Sequence, residues 1–243
     1  MTSDHFFVPR EGLIEGRAVL RGPEHHHLAR VLRARTGDRV WLFDEDGWRY
    51  RAKIDRLTDE EGVLSILETI PPPGVATKIV LAPALLKAKT MDDLILQAVE
   101  LGVFRISPVI SERSVSRIEG QPARKLERWT RIARTASKQS RSGRVPIIEA
   151  PVALPVFLSA CRSDRKYVLN EHGGARFKNL RAASNDPPAE AALLIGPEGG
   201  WSEIEDHTFV SAGFVRISLG RTILRAETAA LAGLTLLAQE WND

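Results

Sequence analysis

The chain has 243 residues, 43% apolar and 27% charged, with a formal net charge of +3, which is enough for one large domain or two small ones. No apolar run approaches a membrane span, the N-terminus "MTSDHFFVPREG" lacks the apolar stretch and cleavage site of a secretory signal, and the single cysteine, Cys161, excludes a disulfide framework and a cysteine-based metal site. A reducing compartment fits this composition, and the expected location is the cytoplasm.

The first seventy residues read as a small β domain, residues 1–70. "RAVL", "RVWLFD", "WRYRAKIDRL" and "GVLSILETI" are short, rich in branched and aromatic residues, and separated by the turn signals "RTGD" and "DEDG". "PPPG" at 71–74 is a stiff break. From residue 74 to 243 strands alternate with helices: "KIVLAPAL", the helix "TMDDLILQAVELG", "RISPVI", a basic helix, "KYVLN", "AALLIG", the helix "SEIEDHTFVSAG", "FVRISLG", and the helix "LRAETAALAGLTLLAQEW". Such alternation predicts an α/β domain with a mostly parallel sheet. "RAASNDPPAE" at 181–190 reads as a loop, and no internal repeat is found.

Charge is unevenly placed. The stretch "QPARKLERWTRIARTASKQSRSGR" holds Arg124, Lys125, Arg128, Arg131, Arg134, Lys138, Arg141 and Arg144 against a single acid, Glu127. Leu126, Trp129, Ile132, Ala133 and Ala136 recur at helical spacing, and the cations recur every three or four residues on another side. A solvated helix face also has this pattern, but solubility alone favours interspersed acids, and guanidinium forks match phosphate oxygens. Nucleic acid is the indicated partner.

Two strand ends stand out further on. "LLIGPEGGWSEIE" runs an apolar strand into a loop of three glycines and a proline, with Ser202 and Glu205 spaced as a capping box for the helix behind. "ISLGRTILRAET" places Gly220 after a strand and Arg225 and Glu227 at the start of a long helix. In open parallel sheets ligands gather beyond the carboxyl ends of strands, so the two loops are expected to wall a pocket, although a glycine-rich turn alone has the same composition. Neither a P-loop nor the G-x-G-x-x-G pattern is present, so the ligand is not gripped by its phosphates.

These residues resemble the RsmE-type 16S ribosomal RNA (uracil-N3)-methyltransferases of the SPOUT class. The resemblance runs through "FFVPR", "HHHLARVLRARTGD", "AVELGVFRISPVISERSV", "KQSRSGRVP", "LLIGPEGGWSEIE" and "LGRTILRAETAAL". It implies a PUA-like, RNA-binding β-barrel followed by an α/β domain tied in a trefoil knot. It also implies S-adenosylmethionine held by backbone groups around Leu169, Leu194, Gly196, Pro197, Gly199, Gly200, Leu219, Gly220 and Leu224. A homodimer formed through the C-terminal domain and 16S rRNA within the small ribosomal subunit are the implied partners. The chain departs from the family where relatives read Glu-Gln-Ser-Gly-Arg before Val-Pro: here Lys138 replaces the acid, Arg141 the glycine and Ser142 the arginine. "FDEDG" is also two residues longer than the usual turn.

Uracil N3 is a poor nucleophile while protonated, so the site must help remove the proton and stabilise charge spreading onto O2 and O4. Arg225 is the candidate for charge stabilisation, and Glu227 for accepting the proton or orienting Arg225; both residue types also cap or pair at helix starts. The sulfonium already activates the methyl group, so no metal is required. "EHHH" at 24–27 suits capping, packing or RNA contact better than a metal, because adjacent histidines point apart. Arg30 and Arg33, one helical turn apart, together with Arg10 are candidates for a phosphate-binding side of the barrel, and Arg113 for an RNA contact. The competing reading is a non-catalytic RNA-binding protein that uses the basic helix and the barrel.

Overall fold

The computed structural model describes residues 5–72, 74–114, 122–142, 144–171, 173–176 and 186–242. Residues 181–185 of the loop-like stretch lie outside the described residues. The chain forms two compact units: residues 1–74 with 134–145, and residues 75–133 with 146–243. The stretch Arg134–Val145 therefore groups with the N-terminal unit, whereas the sequence places all of 74–243 in one domain.

In the first unit, β1 (His5–Phe7), β2 (Leu13–Ile14), β3 (Arg17–Arg21), β4 (Arg39–Phe43), β5 (Arg49–Leu57) and β6 (Glu61–Ile70) form a sheet in the order β1-β4-β5-β6-β3-β2. Only the β1–β4 pairing is parallel. Alternation decides which face is buried: Val40 and Leu42 of "RVWLF", and Tyr50, Ala52 and Ile54 of "RYRAKI", join Phe6, Leu20 and Leu64 in one core. The residues between them are thereby turned to the other face. The long "FDEDG" turn closes on itself: Asp44 accepts from the Trp48 amide at 2.9 Å and from the Tyr50 hydroxyl at 2.7 Å. The "HHHLARVLRAR" stretch does not continue as one helix. After α1 (Gly22–His26) it widens into a single π turn (His27–Val31), and Arg33 has a φ of 52°, so Arg30 and Arg33 are not stacked on one helical face.

In the second unit, among the described residues, the strands β7 (Lys78–Pro83), β8 (Arg105–Ile106), β10 (Ile147–Ile148), β12 (Arg165–Leu169), β13 (Ala175–Arg176), β14 (Glu190–Ile195) and β15 (Val215–Ser218) form a parallel sheet in the order β10-β8-β7-β14-β12-β15-β13. A short parallel pair, β9 (Val109–Ile110) with β11 (Val152–Ala153), lies beside it in sequence, and Pro108 separates β8 from β9. The near-continuous apolar runs of β7 and β14 are those of strands covered on both faces. On one face Val80, Ala82, Val168, Ala192 and Leu194 pack against Phe157 and Leu158 of α4 (Leu154–Ala160) and Phe209 of α5 (Glu203–Ser211). α4 is a helix that the sequence reading does not separate from loop, because seven residues hold too few periods to show one. On the other face α6 (Ala226–Trp241) packs beside α2 (Ala88–Glu100), and a Cβ on Gly233 of α6 would lie 2.9 Å from Leu193, so the glycine sets how closely α6 approaches the sheet. The Asn242 amide fastens the end of α6 to β7 by accepting from the Thr77 amide at 2.8 Å and donating to its carbonyl at 3.0 Å.

Candidate active site

The carboxyl ends of β12, β14 and β15 open into one cavity of about 710 Å³, built entirely from the second unit. The loop after β14 is shaped by two glycines with different jobs. Gly200 has a φ of 68° and donates to the Pro197 carbonyl at 2.9 Å, closing a turn that a side chain would strain. At Gly196 a Cβ would lie 3.1 Å from the indole nitrogen of Trp201, whose ring sits edge-on to Phe209. Ser202 and Glu205 form the capping box that starts α5. After β15, Gly220 has a φ of 147°, and the loop leads through Leu224 to Arg225, the N-cap of α6. Ile223 is 71% exposed there.

Of the sequence candidates, Leu169, Gly196, Pro197, Gly200, Leu219, Gly220, Leu224, Arg225, Glu227 and Arg113 all line this cavity. Two others do not. Leu194 is fully buried in the sheet core, because the strand alternation turns it away from the opening, and Gly199 points its open side at Arg113 instead. Its carbonyl accepts a 3.1 Å hydrogen bond from Arg113, which makes Arg113 a wall residue of the cavity and not a partner of Glu112.

Sequence reasoning missed Lys87, Thr90, Asn170, Glu171, Glu198, Glu203 and Asp206, which also line the cavity. Asn170 ends "KYVLN" and Lys87 follows "KIVLAPAL", so the strand-end rule that singled out "GPEGG" applies to both. Asn170 donates to Asp206 at 2.8 Å, and Arg216 makes a fork to the same carboxylate. The lining carries the acids Glu171, Glu198, Glu203, Asp206 and Glu227 against Lys87, Arg113 and Arg225, a surplus that suits a cationic ligand even with Asp206 matched by Arg216.

The proposed RNA contacts divide. α3 (Pro122–Ser140) is amphipathic as read, with Trp129, Ala133 and Ala136 buried and Arg124, Arg128, Arg131 and Arg134 exposed. Arg128 is ion-paired with Asp92, and Arg134 lies 4.5 Å over the Phe7 ring. Lys138 leaves the ridge: it is half-buried, bonded to Glu24 at 2.8 Å and set over Phe6, because it faces the barrel side of the helix end. Arg10 is held by Asp46 at 3.2 Å while its amide donates to Glu45, and Arg30 pairs with Asp59. Arg33 is exposed, as is Arg141, which has a φ of 56°; Arg144 is half-buried. In "EHHH", Glu24 is the Lys138 partner, His25 is buried and His27 packs edge-on to Phe6, and among the described residues no cluster of three His, Cys, Asp or Glu side chains is placed to hold a metal. No described helix is long and apolar enough to cross a membrane.

Comparison with known proteins matches residues 74–238 to a family described as an RNA methyltransferase domain and residues 20–67 to one described as an RNA methyltransferase PUA domain. Ribosomal RNA small subunit methyltransferase E of Synechocystis is 32% identical over 93% of this chain and 74% of its own. The protein of the same name from Aquifex aeolicus is 32% identical over 90% of this chain and 93% of its own. The crystal structure of ribosomal RNA small subunit methyltransferase E from Neisseria gonorrhoeae bound to S-adenosyl methionine superposes with a TM-score of 0.87 at 28% identity, covering 100% of this chain and 99% of that one. With its parallel-sheet α/β unit, its PUA-like N-terminal unit and its glycine-walled cavity, the chain belongs to the ribosomal RNA small subunit methyltransferase E family of RNA methyltransferases.

Proposed function

We propose that the protein transfers a methyl group from S-adenosylmethionine to N3 of a uridine in 16S rRNA of the small ribosomal subunit. The observation that carries the reading is the cavity where the Gly196–Trp201 loop, the Leu219–Arg225 loop and the end of β12 meet. Its backbone-lined walls suit an adenosyl group, and its surplus of carboxylates suits a ligand bearing a sulfonium and an ammonium. When bound, S-adenosylmethionine supplies an activated methyl group. The protein's part is to orient the base and manage its proton. Arg225, the N-cap of α6, and Glu227, on its first turn, both on the cavity wall, are assigned charge stabilisation at the uracil oxygens and acceptance of the N3 proton, respectively. The cations of α3 hold the RNA backbone, and α2 and α6 carry the contact between two copies of the chain.

The test is methyl transfer from labelled S-adenosylmethionine to small subunits from a strain lacking the gene, with the modified nucleotide mapped. A label at uridine N3 is the expected result; a label on another atom, or no transfer by protein that binds the cofactor, overturns the assignment.

A further inference from the structure

The outer face of the N-terminal sheet carries a pattern that the site above does not use. Strand register aligns Arg39 of β4, Lys53 of β5, Ser65 of β6 and Arg17 of β3 in one row across four strands. The next row aligns His5, Trp41, Arg51 and Glu68, and the one beyond it Phe7, Phe43 and Arg49. Their neighbours along each strand fill the core, so these side chains share the opposite face of the sheet, on which Phe7 and Phe43 are buried and the row of Arg39, Lys53 and Arg17 is open. Arg17, Arg39 and Lys53 are exposed; Trp41 is half-buried and stacked on His5 with ring centroids 6.1 Å apart. Arg134, from the α3 ridge, lies over Phe7 at the edge of the same face. The acids on the face are Glu61, held by Arg21 and Arg56, Glu68, 3.4 Å from Arg51, and Asp55, which accepts from Ser65. The face therefore has a cationic surplus arranged around an aromatic ring.

We propose that this face binds a single-stranded segment of the substrate RNA, with Trp41 as a stacking platform for a base and Arg17, Arg39 and Lys53 contacting phosphates. Strands across a sheet lie about 4.8 Å apart, so Arg39 and Lys53 sit one strand spacing from each other and Lys53 and Arg17, with Ser65 between them, two, a span that suits successive phosphates of an extended strand. A partly exposed aromatic flanked by cations is the sequence-tolerant way to hold unpaired bases, whereas a duplex offers no free base to stack on. An acidic protein would use the cations and leave the aromatic without a role. The proposal rests on the methyltransferase reading and extends it to a second contact away from the cavity.

The experiment compares the wild type with Trp41→Ala, Trp41→Phe and the double variant Arg39→Gln/Lys53→Gln, using a single-stranded 12-mer RNA, a duplex of the same length and heparin. Far-UV circular dichroism melts check folding. Trp41→Ala should weaken single-strand binding roughly 5- to 100-fold with heparin binding unchanged, and Trp41→Phe should restore most of it. The double variant should lower the salt slope of single-strand binding by roughly 1.4, two phosphates at about 0.7 each. Methylation of small subunits is measured in parallel with calorimetry of S-adenosylmethionine. Folded variants that keep single-strand affinity, salt slope and KM for subunits while the wild type methylates normally would overturn this proposal alone. Losses that are equal for heparin and RNA would reduce the face to a polyanion surface and overturn it too. A wild type that neither binds the cofactor nor methylates would instead overturn the methyltransferase reading.

Discussion

Gly199 and Gly200 are neighbours in sequence with opposite tolerances. Gly200 has a positive φ, and a Cβ there would lie 3.1 Å from Glu171 Oε1 on the cavity wall, so Gly200→Val should abolish S-adenosylmethionine binding in calorimetry. At Gly199 the nearest atom to a Cβ is Arg113 Cβ at 3.4 Å, ordinary contact, so Gly199→Ala should leave affinity within a few-fold of wild type. Arg225→Ala should lower kcat by about 10²- to 10³-fold with cofactor and RNA affinities nearly unchanged, since its interaction grows only as charge develops on the base; single-turnover methylation measures this. Tyr50 offers a check on the N-terminal unit. Burial, reinforced by its hydrogen bond to Asp44, pushes its hydroxyl pKa above the usual value of about 10, and burial also raises Tyr167, the second of the two tyrosines. A raised folded-state pKa stabilises the fold fully below pH of about 10, and that stability is lost as pH rises through the folded value. Phenolate absorbance should thus appear at higher pH in native protein than in denaturant.

The elements show where sequence patterns suffice and where they fail. The basic and apolar faces of α3 are legible because helical period alone sorts side chains between them. The fate of Lys138 is not, since its partner Glu24 lies 114 residues away. The spacing of Arg33 misleads for a local reason: the π turn and a left-handed φ break the helical period that "HLARVLRAR" suggests. Changing Arg128, Arg131 and Arg134 together to Gln should weaken RNA binding and flatten its salt dependence by roughly 0.7 to 0.9 for each phosphate that is no longer neutralised, with cofactor affinity unchanged. Filter binding at several salt concentrations reads the slope. Because Arg128 already pairs with Asp92 and Arg134 with the Phe7 ring, the change in slope should be smaller than three fully neutralised phosphates would give.

For the whole molecule, α6 buries Ala226, Ala230, Gly233, Leu234 and Leu237 against its own sheet, while Leu231, Ala232 and Leu236 on its other sides are only half-buried. Such a helix has apolar surface left for a second copy, so sedimentation at micromolar concentration should show a dimer. The sequence by itself determined the class of the protein: strand-helix alternation, a β-rich start, glycine loops at strand ends and a cationic helix are all local patterns, set by side-chain period and by turn residues with special φ. Only the tertiary structure decided which residues share a wall and which cations are already held. It set Asn170, Glu171 and Lys87 beside the glycine loops, tied Arg10 to the "FDEDG" turn, and lined up Arg17, Lys53 and Arg39 through strand register. These juxtapositions depend on which strands pair and in what register, and that is settled by packing between segments far apart in the chain.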